Sequence, residues 1–309
     1  MTALATGVSL RFDSAVRLAL LMAPPLSVQC RIMKTELSLA LIGGGNMANA
    51  LASGLIGRRC AAADVHVIDP GETVRERWAG QGTTTAAAPD ARLAECRVWF
   101  FAVKPQIMAE VVRQCRPWLR PDTLVISIAA GIPGEAIARW LGTDAGPYAR
   151  VVRCMPNTPA LIASGMTGMA ALEGVDEADR ALAEELLRAV GEVIWVRDDA
   201  DIDAVTAVSG SGPAYVFLFL EALIAAGIEQ GLTPEQARRL ALGTFHGATQ
   251  LASLSPDSPS VLRERVTSKG GTTAAALAVF QERGLTDIMR QAVAAAARRA
   301  GELAREFSS

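Results

Sequence analysis

The sequence predicts an α/β domain followed by an all-α domain, and two observations predict this order. Between residues 37 and 200, short apolar runs typical of strands alternate with stretches typical of helices. Near-continuous apolar strands separated by helices indicate a parallel sheet covered on both faces. After about residue 200 the strand pattern stops and long helical stretches follow. The length of 309 residues is enough for two such domains.

The chain divides into three predicted segments. Residues 1–32 hold a short, mildly basic apolar run broken by Pro24 and Pro25, and Met33 stands just before the first strand. We interpret residues 1–32 as an extension, disordered or upstream of the true start, in preference to a targeting signal. Residues 33–200 are the predicted sheet domain, and residues 201–309 are the predicted helical domain.

Seven apolar runs are the predicted strands of the first domain. A helix from about residue 176 to 190 precedes the last of them. Because each run is short and helical stretches separate most of them, a doubly wound sheet is the expected arrangement. The predicted strands are residues 37–42, 65–69, 98–103, 123–128, 149–153, 165–171 and 193–196.

A glycine-rich turn follows the first strand. Gly43, Gly45 and Ala48 form the pattern Gly-x-Gly-x-x-Ala, before a helical stretch that continues to about Arg58. Strand, turn and helix in this order predict a Rossmann-like dinucleotide site, in which the second glycine lets the backbone approach a pyrophosphate. Asp69 ends the second strand about 20 positions further on, where a ribose-binding carboxylate is expected. A tight turn that binds nothing is the alternative.

Long helices are predicted in the second domain. Thr233 and Gln236 form a capping box, and Pro213 marks a helix start after Ser-Gly-Ser-Gly. Further helices are predicted after Thr273 and from about residue 286 to 305.

The stretch 214–228 is apolar nearly all round. It is interrupted by Glu221 and is shorter than the ~20 residues that span a bilayer. We therefore predict no membrane span. We interpret it as a buried helix whose remaining cover comes from a second subunit.

A second glycine-rich loop precedes a helix near the C-terminus. Residues 266–273 read Val-Thr-Ser-Lys-Gly-Gly-Thr-Thr, and an alanine-rich helical pattern follows. Unpaired N–H groups, hydroxyls and the positive end of the helix dipole would meet in one small volume, which predicts an anion site. The alternative is a turn with threonine N-caps that binds nothing.

Charge and cysteine content narrow the possible partners and compartments. Thirty Lys and Arg residues against 32 Asp and Glu residues give a net charge of -2, without a basic tract, so nucleic acid is not an expected partner. The five cysteines lack Cys-x-x-Cys pairing and predict buried free thiols in the cytoplasm. His66 and His246 are too few and too far apart for a zinc site, so no metal is expected.

Six motifs resemble, in order, those of pyrroline-5-carboxylate reductases, and the resemblance covers about residues 36–305. They read Gly-Gly-Gly-Asn-Met-Ala at 43–48, Ala-Val-Lys-Pro-Gln at 102–106, Ser-Ile-Ala-Ala-Gly at 127–131, Met-Pro-Asn-Thr-Pro at 155–159, Ser-Gly-Ser-Gly-Pro-Ala-Tyr at 209–215 and Val-Thr-Ser-Lys-Gly-Gly-Thr-Thr at 266–273.

The resemblance implies the last step of proline synthesis, in which NADPH or NADH reduces the C=N bond of 1-pyrroline-5-carboxylate. It also implies a Rossmann domain followed by a helical domain that intertwines with its partner in a homodimer, sometimes within a decamer.

The resemblance further implies which residues form the site. It places the substrate carboxylate against the backbone N–H groups of Gly270, Gly271 and Thr272, with Ser268 beside them. Thr273 is the expected catalytic residue, with its hydroxyl near the ring nitrogen. The expected cofactor-binding residues are Gly43, Gly45, Asn46, Met47, Asp69, Ala102, Val103, Lys104, Pro105 and Asn157. For Lys104 and Asn157, positioning of a loop is an alternative role.

The cofactor preference stays open from the sequence. Asp69 would accept a hydrogen bond from a ribose 2′-hydroxyl and repel a 2′-phosphate, which favours NADH, whereas Arg75 and Arg77 could hold the phosphate of NADPH. Lys269 stands where the family often has proline, and we expect it to face solvent.

Two other functions are possible on the same fold. One is a β-hydroxyacid dehydrogenase, which needs a lysine base that residues 213–231 lack. The other is a non-catalytic nucleotide-sensing protein, which has no need of the anion loop at residues 270–273.

Overall fold

The computed structural model describes residues 37–307. The predicted extension at residues 1–32, and Cys30 within it, lie outside the described residues. Among residues 37–307, a sheet of eight strands comes first, and long helices follow it.

The sheet has the order β3-β2-β1-β4-β5-β6-β7-β8. Its first six positions follow the strand order that dinucleotide-binding folds share, with β1 and β4 adjacent at the point where the chain changes direction across the sheet. The strands are β1 (Leu39–Ile42), β2 (Val65–Ile68), β3 (Thr84–Ala86), β4 (Val98–Phe101), β5 (Leu124–Ser127), β6 (Val151–Met155), β7 (Gly165–Ala171) and β8 (Gly191–Trp195).

Helices connect the strands and cover both faces of the sheet. Leu39 and Leu41 pack into the core on one face, whereas Ala40 and Ile42 pack into the core on the other face. This alternation confirms the predicted doubly wound sheet. The connecting helices are α1 (Asn46–Leu55), α2 (Glu72–Ala79), α3 (Pro105–Cys115), α4 (Gly134–Leu141) and α5 (Glu177–Arg188).

The helical part of the chain begins after β8. It contains α6 (Asp199–Val205), a π-helical turn (Thr206–Gly210), α7 (Gly212–Glu229), α8 (Pro234–Leu254), α9 (Pro259–Arg265), α10 (Thr272–Glu282) and α11 (Leu285–Phe307). The predicted capping box is present at the start of α8, because Gln236 N–H donates to Thr233 Oγ1 at 3.2 Å and Thr233 N–H donates to Gln236 Oε1 at 2.9 Å.

The observed sheet domain differs from the sequence predictions at three points. Strand β3 was not predicted. The prediction of a fully parallel sheet is wrong at β7, which pairs antiparallel with β6, because residues 156–164 are too few for a crossover. The first helix ends at Leu55 and not near Arg58.

The apolar helix was predicted to be buried with part of its cover from a second subunit, and within the single chain it is not buried. Helix α7 has no buried residue, and the side chains of Phe217 and Leu218 are 58% and 65% exposed. The continuous helical stretch Asp199–Glu229 is long and apolar enough to cross a membrane, judged by length and composition alone. The single chain leaves this apolar surface exposed.

Candidate active site

The first glycine loop lies where β1 and β4 end side by side. Gly43 has φ of +100°, a conformation that favours glycine. A Cβ atom at this position would lie 2.7 Å from the carbonyl oxygen of Ala102. The Gly43 N–H donates to the Ile68 carbonyl at 2.8 Å, and the Ala102 N–H donates to the Ile42 carbonyl at 2.8 Å. These contacts bring the ends of β1, β2 and β4 to one edge.

Gly45 opens α1 and leaves room for a ligand. A Cβ atom on Gly45 would have no atom within 4 Å, and Gly45 caps the helix without a side-chain hydrogen bond. The first helical bond runs from Asn49 N–H to the Gly45 carbonyl at 3.0 Å. Within residues 37–307, the N–H groups of Asn46, Met47 and Ala48 therefore have no protein acceptor. Free N–H groups at a helix start fit the pyrophosphate of a dinucleotide.

Asp69 holds the glycine loop from the end of β2. Its Oδ2 accepts from the Gly44 N–H at 2.9 Å, and its Oδ1 accepts from the Gly71 N–H at 2.9 Å. An ionised carboxylate offers about four acceptor positions, so both oxygens keep capacity for a ribose hydroxyl. The predicted ribose-binding position is thus also a structural support of the loop.

Side chains of α2 bond to the glycine loop and to the turn after β2. The Arg77 guanidinium and the Trp78 indole N–H both donate to the Gly44 carbonyl, at 2.8 Å and 3.0 Å. Arg75 donates to the carbonyls of Asp69 and Pro70 at 2.8 Å and 2.7 Å. The role of buried Trp78 was not predicted. Its place in the last turn of the helix that follows Asp69 was the available signal.

The predicted cofactor residues after β4 lie beside this loop. Ala102 and Val103 are half-buried, and Lys104 is the exposed N-cap residue of α3 without a side-chain cap. Pro105 takes the first helical position, where its missing N–H costs nothing. The carboxyl edge of the sheet is where open α/β folds bind their ligands.

Asn157 follows β6 at the same edge, but its amide group is already bonded to protein. Its Nδ2 donates to the Ser209 carbonyl at 3.0 Å, and its Oδ1 accepts from the Met166 N–H at 2.9 Å. These bonds favour the alternative in which Asn157 positions a loop.

Arg153, which was not singled out from the sequence, joins β6 to α6. Its buried guanidinium donates to Asp199 Oδ1 at 3.0 Å and to Asp203 Oδ1 at 3.1 Å. Asp199 Oδ2 also accepts from the Gly134 N–H at 2.9 Å. An arginine inside an otherwise apolar strand was the signal for this connection, because a buried charge needs partners.

The second glycine loop contains a tight turn. Gly270 has φ of +71°, and the Gly271 N–H donates to the Ser268 carbonyl at 3.0 Å. A positive φ at the third residue and this bond between the first and fourth residues are typical of a type II turn, which requires glycine there. The turn therefore uses the Gly271 N–H, which the resemblance assigns to the substrate carboxylate.

The free donors of this loop lie one residue further along, at the start of α10. Gly271 is the N-cap residue, so the suggested threonine N-cap is absent at this helix. The first helical bond runs from Ala275 N–H to the Gly271 carbonyl at 3.1 Å. In the described part of the chain, the N–H groups of Thr272, Thr273 and Ala274 have no protein acceptor. Helices α1 and α10 thus begin alike, with a glycine cap and three free donors.

The side chains around this second loop are accessible. Thr273 is half-buried, whereas Ser268, Lys269 and Thr272 are exposed, which agrees with the expectation that Lys269 faces solvent. Most of α10 is exposed as well. The chain by itself therefore leaves this side of the candidate anion site open.

Four buried cysteines lie outside the two glycine loops. Cys60, Cys96, Cys115 and Cys154 are free and buried, as predicted. Burial raises the pKa of the Cys60 thiol to about 11 and that of the Cys96 and Cys115 thiols to about 12, so these thiols stay protonated and unreactive at neutral pH.

Comparison with known proteins connects the two glycine loops to one family. Residues 38–131 match a family model described as NADP oxidoreductase, coenzyme F420-dependent, and residues 199–303 match one described as pyrroline-5-carboxylate reductase dimerisation. A pyrroline-5-carboxylate reductase of Pseudomonas aeruginosa is 45% identical over 270 residues, covering 87% of this chain and 97% of the relative. The chain belongs to the pyrroline-5-carboxylate reductase family.

Solved structures of the pyrroline-5-carboxylate reductase family agree with this membership. The enzyme from Coxiella burnetii is 38% identical with a TM-score of 0.79, and the comparison covers 87% of this chain and 98% of that one. A Plasmodium falciparum pyrroline carboxylate reductase with NADP bound is 27% identical with a TM-score of 0.76, at the same coverage of both chains.

As a pyrroline-5-carboxylate reductase, the chain is an NAD(P)H-dependent oxidoreductase of proline biosynthesis that acts on the pyrroline C=N bond. The predicted function, cofactor class and two-domain fold are confirmed. Family membership also decides against the two alternatives, a β-hydroxyacid dehydrogenase and a non-catalytic sensor.

Proposed function

We propose that this chain reduces 1-pyrroline-5-carboxylate between the two glycine loops. The supporting observation is the pair of matched helix starts. The free N–H groups of Asn46, Met47 and Ala48 suit the cofactor pyrophosphate, and those of Thr272 and Thr273 suit the substrate carboxylate. Each anion then lies at the positive end of a helix dipole.

The reaction needs a positioned imino acid more than it needs a strong acid or base. When bound, the reduced nicotinamide would supply the hydride that the imine carbon of the ring, C2 of the pyrroline, receives. The ring nitrogen of a cyclic imine can already carry a proton near neutral pH. We assign the Thr273 hydroxyl as the hydrogen-bond partner of that nitrogen, and Ser268 as a neighbour of the carboxylate. Catalysis then rests mainly on orientation.

We propose that the working unit is a homodimer formed through α7 and neighbouring helices. Val216, Phe217 and Leu218 are exposed in the single chain, although surfaces this apolar are typical of subunit interfaces. The match of residues 199–303 to a dimerisation model supports the same unit. A larger assembly, up to the decamer that the family resemblance implies, stays a prediction.

We further propose that each site is completed by two subunits. The loop that carries Thr272 is exposed and is hydrogen-bonded within its own loop and helices. A substrate reduced there must also meet the nicotinamide held beside Gly45. An intertwined dimer would bring the loop of one chain to the nucleotide domain of its partner.

Mixed dimers test this arrangement. A Gly45→Val chain and a Thr272→Pro chain, each with a different affinity tag, are produced together, and the dimer that carries both tags is isolated. If sites are shared, one of the two sites contains neither change. The mixed dimer should then show about half of the kcat/KM of the unchanged dimer.

The activity of the mixed dimer tests whether sites are shared, and its recovery tests whether the chain forms a homodimer. Activity of the mixed dimer no higher than that of the two parent variants would show that each site lies within one chain. Failure to recover any dimer with both tags would instead contradict the homodimer.

We propose a cytoplasmic location, which rests on the four free, buried cysteines. Buried thiols without partners are typical of a reducing compartment. We propose the predicted domains, residues 33–200 and 201–309, as the functional division. The helix α6 begins at Asp199, two residues before that boundary.

A further inference from the structure

The position after β2 decides which nicotinamide cofactor a Rossmann-like fold accepts, and here it carries a fixed carboxylate. Asp69 is half-buried, and its two oxygens are each held by a backbone N–H, at 2.9 Å from Gly44 and 2.9 Å from Gly71. The side chain therefore cannot turn away from the ribose without giving up both bonds. Its negative charge stays at the mouth of the glycine loop.

The two positive groups nearby are already engaged. The Arg75 guanidinium donates to the carbonyls of Asp69 and Pro70, and the Arg77 guanidinium donates to the carbonyl of Gly44. These bonds hold the turn that carries Asp69. These bonds use one nitrogen of each guanidinium and keep both arginines against main-chain carbonyls. The turn also carries the exposed Glu72, which adds a further negative charge.

We infer that Asp69 makes this enzyme select NADH over NADPH. The carboxylate retains free acceptor positions for the ribose hydroxyls of NADH. A 2′-phosphate would bring about two further negative charges against it, in a partly buried place where solvent screens them less than in bulk water. The inference deepens the proposed function and rests on the assignment of residues 43–48 to the cofactor.

Equilibrium binding tests the inference separately from turnover. The dissociation constants of NADH and NADPH are measured by fluorescence titration of the full chain, without substrate. The unchanged chain should bind NADH at least about tenfold more tightly than NADPH. In Asp69→Asn and Asp69→Ser, NADPH affinity should rise while NADH affinity falls, and the ratio of the two should move by at least about tenfold.

Because NADPH affinity should rise while NADH affinity falls, the Asp69 variants distinguish cofactor selection by Asp69 from mere support of the glycine loop. If Asp69 only held the loop, both variants would lose affinity for the two cofactors equally. Glu72→Gln is the matched control, because it removes a neighbouring exposed carboxylate that has no bond to the loop in the described structure. It should leave the ratio within about twofold.

Three other results would contradict the inference. Equal or tighter binding of NADPH by the unchanged chain would overturn the inference, even if the Asp69 variants did not fold. A ratio that moved as much in Glu72→Gln as in Asp69→Asn would also overturn it. Binding of neither cofactor would contradict the assignment of the glycine loop itself, and the inference with it.

Discussion

The side chain of Asn157 is bonded to the main chain of Ser209, with 3.0 Å between Nδ2 and the carbonyl oxygen. Asn157 follows β6 of the sheet, whereas Ser209 lies in the π-helical turn that leads into α7. Its Oδ1 also accepts from the Met166 N–H at the start of β7. One amide thus fixes the sheet edge to the entry of the helical domain. Turns of π-helix are often found at functional sites.

Asn157→Ala should therefore destabilise the fold by about 1–3 kcal/mol, because it leaves the Ser209 carbonyl and the Met166 N–H without their partner. Urea unfolding at a fixed protein concentration measures the loss. Gln114→Ala removes an exposed amide bonded to Glu110 and should change stability little. Unchanged stability of Asn157→Ala, together with weaker cofactor binding, would support the cofactor contact predicted from the sequence instead.

Gly45→Val should weaken cofactor binding severely while the chain stays folded. The added side chain would point into open space beside the free N–H groups of α1, where the pyrophosphate is expected. Gly45→Ala should have a smaller effect because its side chain is smaller. Fluorescence titration with NADH and NADPH measures the affinity, and circular dichroism checks the fold. Unchanged affinity in a folded Gly45→Val protein would remove this loop from the cofactor site.

Thr272→Pro should raise KM for the imino acid by about 10- to 100-fold and leave cofactor affinity almost unchanged. Proline is well tolerated at the first helical position, and Gly271 before it is extended, with φ of -82° and ψ of 174°. The change therefore deletes one free N–H with little strain. Thr272→Ala keeps that N–H and is the control.

Steady-state kinetics at saturating cofactor distinguish the two Thr272 variants. Equal KM values in both would show that this N–H does not hold the carboxylate. A large rise in KM for Thr272→Ala would point to the hydroxyl as the contact.

Acid should weaken the fold partly through His66. Burial lowers the pKa of this imidazole below its usual 6.5, and this effect outweighs the opposing attraction of Asp90. The folded state then binds fewer protons than the unfolded state, so the stability contribution is complete above about pH 6.5 and falls as the pH drops below it. His66 Nδ1 lies 2.9 Å from Thr84 Oγ1, so the ring also fixes the edge strand β3.

The slope of unfolding free energy between pH 7 and 5 should accordingly be smaller in His66→Asn than in the unchanged chain. His246→Asn changes an exposed histidine on α8 and should keep the original slope. Parallel slopes for all three proteins would contradict a buried, neutral His66.

Much of this structure follows from patterns that the sequence displays. The apolar runs of β1, β2, β4, β5 and β6, the glycine turn and the capping box of α8 are local signals, and they were predicted within a few residues. Strand β3 has only three residues, Thr-Thr-Ala, and pairs with β2 alone, so it lacks an apolar run. The antiparallel β7 could have been recognised from the short connection at residues 156–164.

The site depends on contacts that no local pattern reveals. The Ser-Gly-Ser-Gly run was interpreted only as the segment before a helix start. It forms the end of a π-helical turn and the start of α7, supported by Asn157 and by the Tyr215 hydroxyl, which donates to the Ala207 carbonyl. The use of the Gly271 N–H by Ser268 also depends on backbone geometry. Sequence spacing predicted a glycine loop before a helix here, but it did not identify which donors are free.

The reaction itself is the most direct test of the account. Steady-state oxidation of NADH and of NADPH is followed with 1-pyrroline-5-carboxylate for the unchanged chain and for Thr273→Ala. We expect cofactor oxidation with formation of proline. We also expect Thr273→Ala to lower kcat by about 100-fold or less and to raise KM by a smaller factor, because the hydroxyl assists a substrate that can arrive protonated. If neither cofactor is oxidised by the unchanged chain, the proposed function is wrong, and unchanged kinetics in Thr273→Ala would place the reacting ring elsewhere.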